Sequence, residues 1–463
     1  MGSKMIHLIK EETPIVSTLK NICRKGIYSF HALPLSSFGQ NDILGESEIE
    51  VFHKFETTIT NEAFDNFFFS TGVISESQKK TASLYNADAS FYITGGTSVA
   101  NQIAITALHE KGDLVLIDKN CHQSIHFHTQ SIGARVDYLC PDLSAAGGQL
   151  SAWSVEHLKN KILDQQAKGK GYDLIILTAQ SYEGMIYDIP GVLSYLMEAG
   201  VTTRKFFIDE AWGSLNYFSD DTSELTVMHI DSIREKYPDI NLVCTQSAHK
   251  SLYCLRQASL IHCKGDEKLP NKIEVAKFRI HTTSPNYPIL ASLDMAQAQM
   301  AQYGEQLAKH SRELAAFFCD AVNQNPILAG LGTNIYHFPT QWHIHQDPTK
   351  VLLDISVLDN AITIKKKLLA ENIFIKRTLD KSILLNFHIG INRQAVNELI
   401  KALITLFDKY NSLSNKDEIK ISDKFIITYP PGVPIVFPGD KIDESIQKKI
   451  NSCKEKGLLI IAA

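Results

Sequence analysis

The chain lacks a paired cysteine motif: its eight cysteines are scattered through 463 residues, with no Cys-x-x-Cys spacing. That excludes a zinc ribbon or a dithiol redox centre and points to free thiols in a reducing compartment. Cys121, Cys140, Cys244 and Cys263 sit beside apolar segments and are expected to be buried free thiols. No apolar run is long enough to cross a bilayer. Met1-Gly2-Ser3-Lys4-Met5 leads to the charged Lys10-Glu11-Glu12 without the apolar core of a signal peptide. Gly2 opens a myristoylation-like pattern, but Ile6 stands where Ser or Thr is wanted. A cytoplasmic protein without a membrane partner is expected. Charge of one sign is also missing: a net −5 gives no electrostatic case for nucleic acid. His122, His126 and His128, and then His343 and His345, have no carboxylate or cysteine at a ligand spacing, so no metal site is expected.

What is present is a strand–helix alternation from about residue 90 to 265. Short apolar runs read as strands at Phe91–Thr94, Leu114–Asp118, Leu174–Thr178, Phe206–Asp209, Leu242–Thr245 and Leu260–His262. Helical patterns separate them, among them Val99–Glu110, Val155–Gln166 and Val192–Ala199. The alternation predicts an α/β fold with a mostly parallel, doubly wound sheet. A long helix, Ala291 to about Asn323, leads into a smaller α+β part. There Val351–Ile355, Ile373–Arg377, Ile383–Phe387 and Leu458–Ile461 read as strands, and Ile362–Glu371, Ala395–Tyr410 and Glu444–Lys456 as helices. Asn411–Glu418 reads as a loop, and the proline-rich Tyr429–Pro434 as extended or turning. Three parts are expected: an N-terminal arm over 1–70, a large domain over 71–300 and a small domain over 301–463.

Ser247-Ala248-His249-Lys250 ends one buried strand. An ammonium there is costly to bury unless it is paired or neutralised, and forming a Schiff base is one solution. In open α/β sheets, ligands bind beyond the carboxyl ends of the strands, so the residues just past each strand are the ones to inspect. Gly95-Gly96-Thr97-Ser98 opens a helix, and glycines with hydroxyls at a helix N-terminus suit a phosphate. Read alone, it is equally a capped helix start. Asn120-Cys121-His122 offers a ring stacker, although a single loop histidine is commonplace. Asp209 ends Phe206-Phe207-Ile208 and needs a cationic or hydrogen-bonding partner such as a pyridinium nitrogen. A phosphate cradle, a stacker, a nitrogen partner and an amine together match pyridoxal 5'-phosphate.

With these residues the chain resembles the fold-type-I Orn/Lys/Arg decarboxylases of bacteria, in their short form. The segments that carry the resemblance are Gly96-Thr97-Ser98, Asn120-Cys121-His122, Asp209-Glu210-Ala211-Trp212, Ser247–Lys250 with Gln257-Ala258-Ser259, His281-Thr282-Thr283-Ser284-Pro285, and Tyr429–Pro434 with Pro438-Gly439. It implies that Lys250 forms the Schiff base, Asp209 pairs with the ring nitrogen, His122 stacks on one ring face and Ala211 packs on the other. It places Gly96, Thr97, Ser98, Ser247 and His249 at or beside the phosphate, with Thr283 reaching the phosphate of a partner subunit. Trp212 lines the substrate pocket, with Glu183 and Asp440 as further candidates, and Lys250 or His249 returns a proton to the α-carbon. The implied activity is decarboxylation of arginine, lysine or ornithine by a homodimer or larger homo-oligomer, as in polyamine synthesis. Two alternatives stand beside it: oxidation or transamination on the same scaffold, and a non-catalytic binding protein.

Several positions depart from the family pattern. Phe30-His31-Ala32-Leu33-Pro34-Leu35 replaces a Pro-Gly-His-Lys segment, Val99 a threonine and Glu183 an aspartate. Asn286 and Pro288 alter the segment after Pro285. The large N-terminal wing of the acid-stress members is missing, so their decamer is not expected. Arg256 stands where a small hydroxyl residue is usual. It reads either as a salt-bridging residue or as a clamp on a substrate carboxylate, which would favour chemistry other than decarboxylation.

Overall fold

The computed structural model describes residues 13–25, 55–57, 64–145, 150–328, 330–334, 343–358, 360–414, 420–429, 433–442, 444–455 and 458–462. The Phe30–Leu35 segment and residues 430–432 of the proline-rich stretch lie outside them. Seven strands form the central sheet: β1 (Ala89–Ile93), β2 (Leu114–Asp118), β3 (Arg135–Leu139), β4 (Leu174–Thr178), β5 (Lys205–Asp209), β6 (Asn241–Gln246) and β7 (Ser259–Lys264). Their order is β1-β7-β6-β5-β4-β2-β3. Every neighbouring pair from β6 to β3 is parallel, and β7 alone runs against both its neighbours.

Alternation along each strand sorts side chains to the two faces. Val115, Ile117, Phe207, Val243 and Ile261 pack under helices Thr97–Leu108 and Leu269–Ile280. Leu116, Phe206, Ile208, Leu242 and Cys244 pack under helices Val155–Ala167 and Ile189–Glu198. Each fully buried large side chain contributes about 1.5–3 kcal/mol. No described helix is long and apolar enough to cross a membrane.

The 38-residue helix Tyr287–Gln324 joins two cores. Its first half packs with one cluster through Leu290, Leu293 and Met300; its second half packs with another through Leu314, Phe318 and Val322. Asp294 on this helix accepts a hydrogen bond from Ser77 Oγ (2.6 Å) and one from Val16 N (3.0 Å), so it also secures the helix Pro14–Lys25. That second core lies on a three-stranded antiparallel sheet of β8 (Gly332–Asn334), β9 (Lys350–Asp354) and β10 (Ser382–Asn386), covered by helices Ala361–Ala370 and Arg393–Ser414.

Some expectations need correction. Ile373–Arg377 is not a strand: only the next residue, Thr378, forms a bridge, to Ile383. The side chain of Arg377 is drawn instead to Glu183, beyond the sheet. The stretch read as a loop from Asn411 is helical as far as Ser414. Cys121, Cys244 and Cys263 are buried free thiols, but Cys140 is exposed, because β3 is an edge strand that ends in solvent.

A buried polar chain crosses the sheet behind the strand ends. Ser90 Oγ meets His262 Nδ1 at 2.7 Å, and His262 Nε2 meets Gln246 Oε1 at 3.2 Å. Gln246 Nε2 donates to Glu210 Oε2 at 2.8 Å, which also accepts from Tyr217 OH at 3.0 Å. Burial lowers the pKa of His262 from 6.5 to about 3. The unfolded chain thus takes up a proton below about pH 6.5 that the native state refuses until about pH 3. Stability from this group is complete above that window and falls as pH falls through it, by up to about 5 kcal/mol. Thermal melts from pH 7 to pH 4 are expected to show this loss. His262→Asn, which cannot titrate, should melt lower at pH 7 with a shallower pH slope. An unchanged slope would show that His262 is not the source.

Candidate active site

The carboxyl ends of the strands open into one cavity of about 670 Å³. At its floor the turn after β1 forms a cradle. Gly96 has a φ of +78°, which a side chain disfavours, and its N–H donates to Gln257 O at 2.9 Å. A Cβ on Gly95 would meet Val99 Cγ2 at 2.8 Å. Thr97 Oγ1 and Ser247 Oγ share a hydrogen bond across the cradle, and Ser98 lines the same space. The N-terminus of helix Thr97–Leu108 faces it, so backbone donors, hydroxyls and the helix dipole all favour an anion there.

Asp209 stands at the end of β5, between Thr178 of β4 and Thr245 of β6 in register. It is 3% exposed. Oδ1 accepts from Ala211 N at 3.0 Å and Oδ2 from Asn101 Nδ2 at 3.1 Å. Asn101 Oδ1 accepts in turn from Thr245 Oγ1 at 2.7 Å. Burial raises the pKa of this carboxyl; the charge of Lys250, then Asn101, His122 and Ala211, oppose the rise. His122 caps helix Gln123–Ser131, where its Nδ1 accepts from Ser124 N at 3.2 Å and meets Ser124 Oγ at 2.9 Å. This fixes the imidazole at the cavity wall.

Lys250 projects from the one-turn helix Ala248–Ser251, and its Nζ lies 4.5 Å from the centroid of the Trp212 indole ring. Burial lowers its pKa, while Asp209 acts in the other direction. His249 Nδ1 bonds to Ala258 O at 2.9 Å, which places the ring proton on Nδ1. Burial lowers its pKa too. Trp212 meets Tyr182 edge-on at 4.9 Å.

The cavity thus brings together Gly96, Thr97, Ser98, His122, Asp209, Ala211, Trp212, Ser247, His249 and Lys250. Glu183 also lines it, but its carboxylate is held by Arg377 Nη2 at 2.6 Å and Nε at 3.0 Å. Arg256 lines the cavity too, is exposed, and makes no ion pair among the described residues. Thr283 is exposed and does not line the cavity of its own chain. Asp440 lies apart as well, in a turn where its Oδ2 accepts from Phe437 N at 2.8 Å. Sequence reasoning missed Asn101, Gln180, Arg377 and Lys350. Of these, only Asn101 left a signal: a polar residue buried in the apolar helix Thr97–Leu108.

The residues fit pyridoxal phosphate on three structural counts. The cradle has backbone room that a Cβ would fill, a desolvated carboxylate faces the cavity, and an amine of lowered pKa stands opposite. An arginine decarboxylase of Bacillus subtilis is 24% identical over 476 residues, covering 94% of this chain and 92% of that protein. Lysine decarboxylase LdcA of Pseudomonas aeruginosa is 33% identical over 242 residues, covering 50% of this chain and 31% of that protein. The crystal structure of lysine decarboxylase LdcF from Francisella novicida superposes with a TM-score of 0.72 at 20% identity, over 96% of this chain and 77% of that one, so the fold is shared. The family described as Orn/Lys/Arg decarboxylase, major domain, matches residues 42–395. This chain belongs to the Orn/Lys/Arg decarboxylase family of pyridoxal-phosphate-dependent enzymes.

Proposed function

We propose that the protein binds pyridoxal phosphate at Lys250 and removes the α-carboxylate of arginine, lysine or ornithine, giving the amine and carbon dioxide. The observation that carries this reading is the placement of a buried Asp209 and the Lys250 amine in one cavity with the Gly96–Ser98 cradle. Bound there, the cofactor supplies an aldehyde for amines and a ring that takes up electrons. The chain's own residues bind and orient. Gly96 N–H is spent on Gln257, so Thr97, Ser98 and Ser247, with the helix N-terminus, are the donors left for a phosphate. Asp209 would hold a positive charge on a ring nitrogen placed beside it. His122 and Ala211 define the two walls between which a flat ring fits. Trp212 and Tyr182, edge-on to each other, give the substrate side an aromatic wall. Lys250 is the amine that would return a proton to the substrate α-carbon. The reading includes a homodimer in which Thr283, exposed on its own chain, serves the partner's cavity.

The test is a product assay. Cofactor-loaded protein is incubated with lysine, arginine and ornithine separately, while carbon dioxide, oxygen uptake and product mass are followed together. Carbon dioxide with cadaverine, agmatine or putrescine is the expected result. Oxygen uptake or a keto acid without the amine would overturn the reading.

One observation favours a second reading: Arg256 borders the cavity without an ion-pair partner among the described residues. A guanidinium there is placed to clamp a substrate carboxylate through two parallel hydrogen bonds. If it held the α-carboxylate in the ring plane, oxidation or transamination would replace decarboxylation. Under the decarboxylase reading, Arg256→Ala keeps the amine as product with kcat within about tenfold. Loss of a keto-acid product in that variant would favour the clamp instead.

A further inference from the structure

Among the described residues, three carboxylates line the active-site cavity: Asp118, Glu183 and Asp209. Asp209 faces Lys250, and Glu183 is held by the Arg377 guanidinium. Asp118 is as buried as Asp209, at 2% exposed, and has no role in the reading above. Its hydrogen-bond donors are all neutral. Oδ1 accepts from Asn120 N at 2.9 Å, and Oδ2 accepts from Trp153 Nε1 at 3.2 Å. No cation among the described residues pairs with it.

The sheet sets this acid apart from the cofactor residues. Asp118 ends β2, two positions after Leu116, which packs in one cluster with Trp153 and Tyr187. Alternation turns Asp118 to that same face. Asp209 stands two strands along the sheet, across β4, roughly 10 Å away at ordinary strand spacing. The cavity rounds the end of β4 between them, past Thr178 and Gln180. In the lobe at β2, the Trp153 and Tyr187 rings stack at 3.9 Å and 5°, and Met185 adds an apolar wall. The Thr178 hydroxyl stands near the Asp118 carboxylate, yet it is buried without a full hydrogen bond of its own.

We propose that this lobe is the subsite for the terminal cation of the substrate, with Asp118 as the acid that selects a basic side chain over a neutral one of the same length. The inference rests on the decarboxylase reading, which puts the reacting end of the substrate at Lys250. From there, past β6 and β5, the side chain extends over the end of β4 to β2.

The electrostatics agree with the geometry. Burial raises the pKa of Asp118, and its neutral donors oppose the rise without cancelling it. A buried carboxylate in that condition carries a desolvation cost that an arriving ammonium or guanidinium offsets. Rings and a thioether suit the alkyl chain that leads to such a group, and the rings also attract the cation itself. Glu183 is the poorer acceptor, because a guanidinium already occupies it.

The test uses amines without a carboxylate, so that no turnover intervenes. Cadaverine carries an ammonium at both ends of a five-carbon chain, and n-pentylamine carries one. Their affinities are read from the absorbance of the cofactor-loaded protein and by calorimetry on the cofactor-free chain. The wild type should hold cadaverine about 100-fold more tightly, since a buried acid left without its partner discriminates strongly. Asp118→Asn should erase the preference while n-pentylamine binds as before. A second variant changes the rim. Ser151 is exposed, and its Oγ accepts from Asn120 Nδ2 at 3.2 Å. Ser151→Arg sets a guanidinium beside the lobe and should weaken cadaverine alone. Equal affinities in the wild type overturn the inference, as does a preference that survives in folded Asp118→Asn. An equal loss of both amines in that variant marks a merely structural acid and overturns it too. If Asp118→Asn does not fold, Ser151→Arg decides by the same criteria. Absence of cofactor absorbance, or of amine formation in the product assay, defeats the decarboxylase reading, whereas the calorimetry still judges the subsite.

Discussion

Lys250→Ala is expected to abolish amine formation, lowering kcat by about 10⁴-fold or more. The variant should fold. The Lys250 N–H donates to Ser247 O at 2.9 Å, a backbone bond that alanine keeps, and alanine is the best helix former for this one-turn helix. What disappears is the only amine facing both Asp209 and the phosphate cradle among the described residues of the cavity. Reduction of the loaded wild type with borohydride should add the cofactor mass to the peptide containing Lys250, and the variant should gain none. A small primary amine in the buffer should restore some turnover, because the cavity and its walls are intact. The neighbouring Lys350 makes the experiment demanding. If borohydride labels Lys350 in the wild type, or if Lys250→Ala keeps turnover within tenfold, Lys250 is not the cofactor-bearing residue.

The strand ends are legible in the sequence because their chemistry is local. Phe206-Phe207-Ile208 forces a buried strand, and the aspartate after it inherits the burial. The glycines before Thr97 carry a turn wherever the chain goes. Residues that act from a distance leave no such mark. Lys350 comes after Asp347-Pro348-Thr349 in a stretch that reads as an ordinary strand start, and nothing there says that it meets Trp212, 138 positions away by number. Arg377 reads as the end of a strand, since Ile373-Phe374-Ile375 has strand composition. The segment meets the free edge of β10 only at its end, through the Leu384 N to Arg377 O bond at 3.1 Å and the bridge of Thr378 to Ile383, so no ladder extends over 373–377. Asn286 and Pro288 stand out in the sequence only as departures from a family pattern. In the structure Asn286 Oδ1 accepts from Ile289 N at 2.9 Å and Pro288 lies in the first turn, so together they start the helix Tyr287–Gln324. That start is four residues earlier than the apolar periodicity suggests. The hairpin of Leu143–Ala145 and Leu150–Ala152 escapes sequence reasoning because its strands are too short to show alternation.

Asp209→Asn is expected to lower kcat by about 10³-fold while leaving the cofactor-free chain as stable as before. The two effects separate because the carboxylate is costly alone and useful when paired. In the empty cavity, burial pushes its pKa up, so the charge destabilises its own surroundings. An amide of the same shape removes that cost. The hydrogen bonds are partly kept: the carbonyl oxygen of the new amide can still accept from Ala211 N, whereas its NH₂ group would face the Asn101 Nδ2 donor. With a protonated ring nitrogen opposite, the balance reverses. Breaking a buried charge pair by removing one partner costs about 3–5 kcal/mol, and about 4 kcal/mol in a barrier is about 10³ in rate. Binding of the cofactor should weaken for the same reason. Thermal melts of the cofactor-free and loaded forms, alongside kcat, test the argument. Loading should raise the melting temperature of the wild type by more than that of the variant. Turnover within tenfold of wild type, or an equal rise on loading, would mean that Asp209 is a buried structural carboxylate and that the ring nitrogen is held elsewhere.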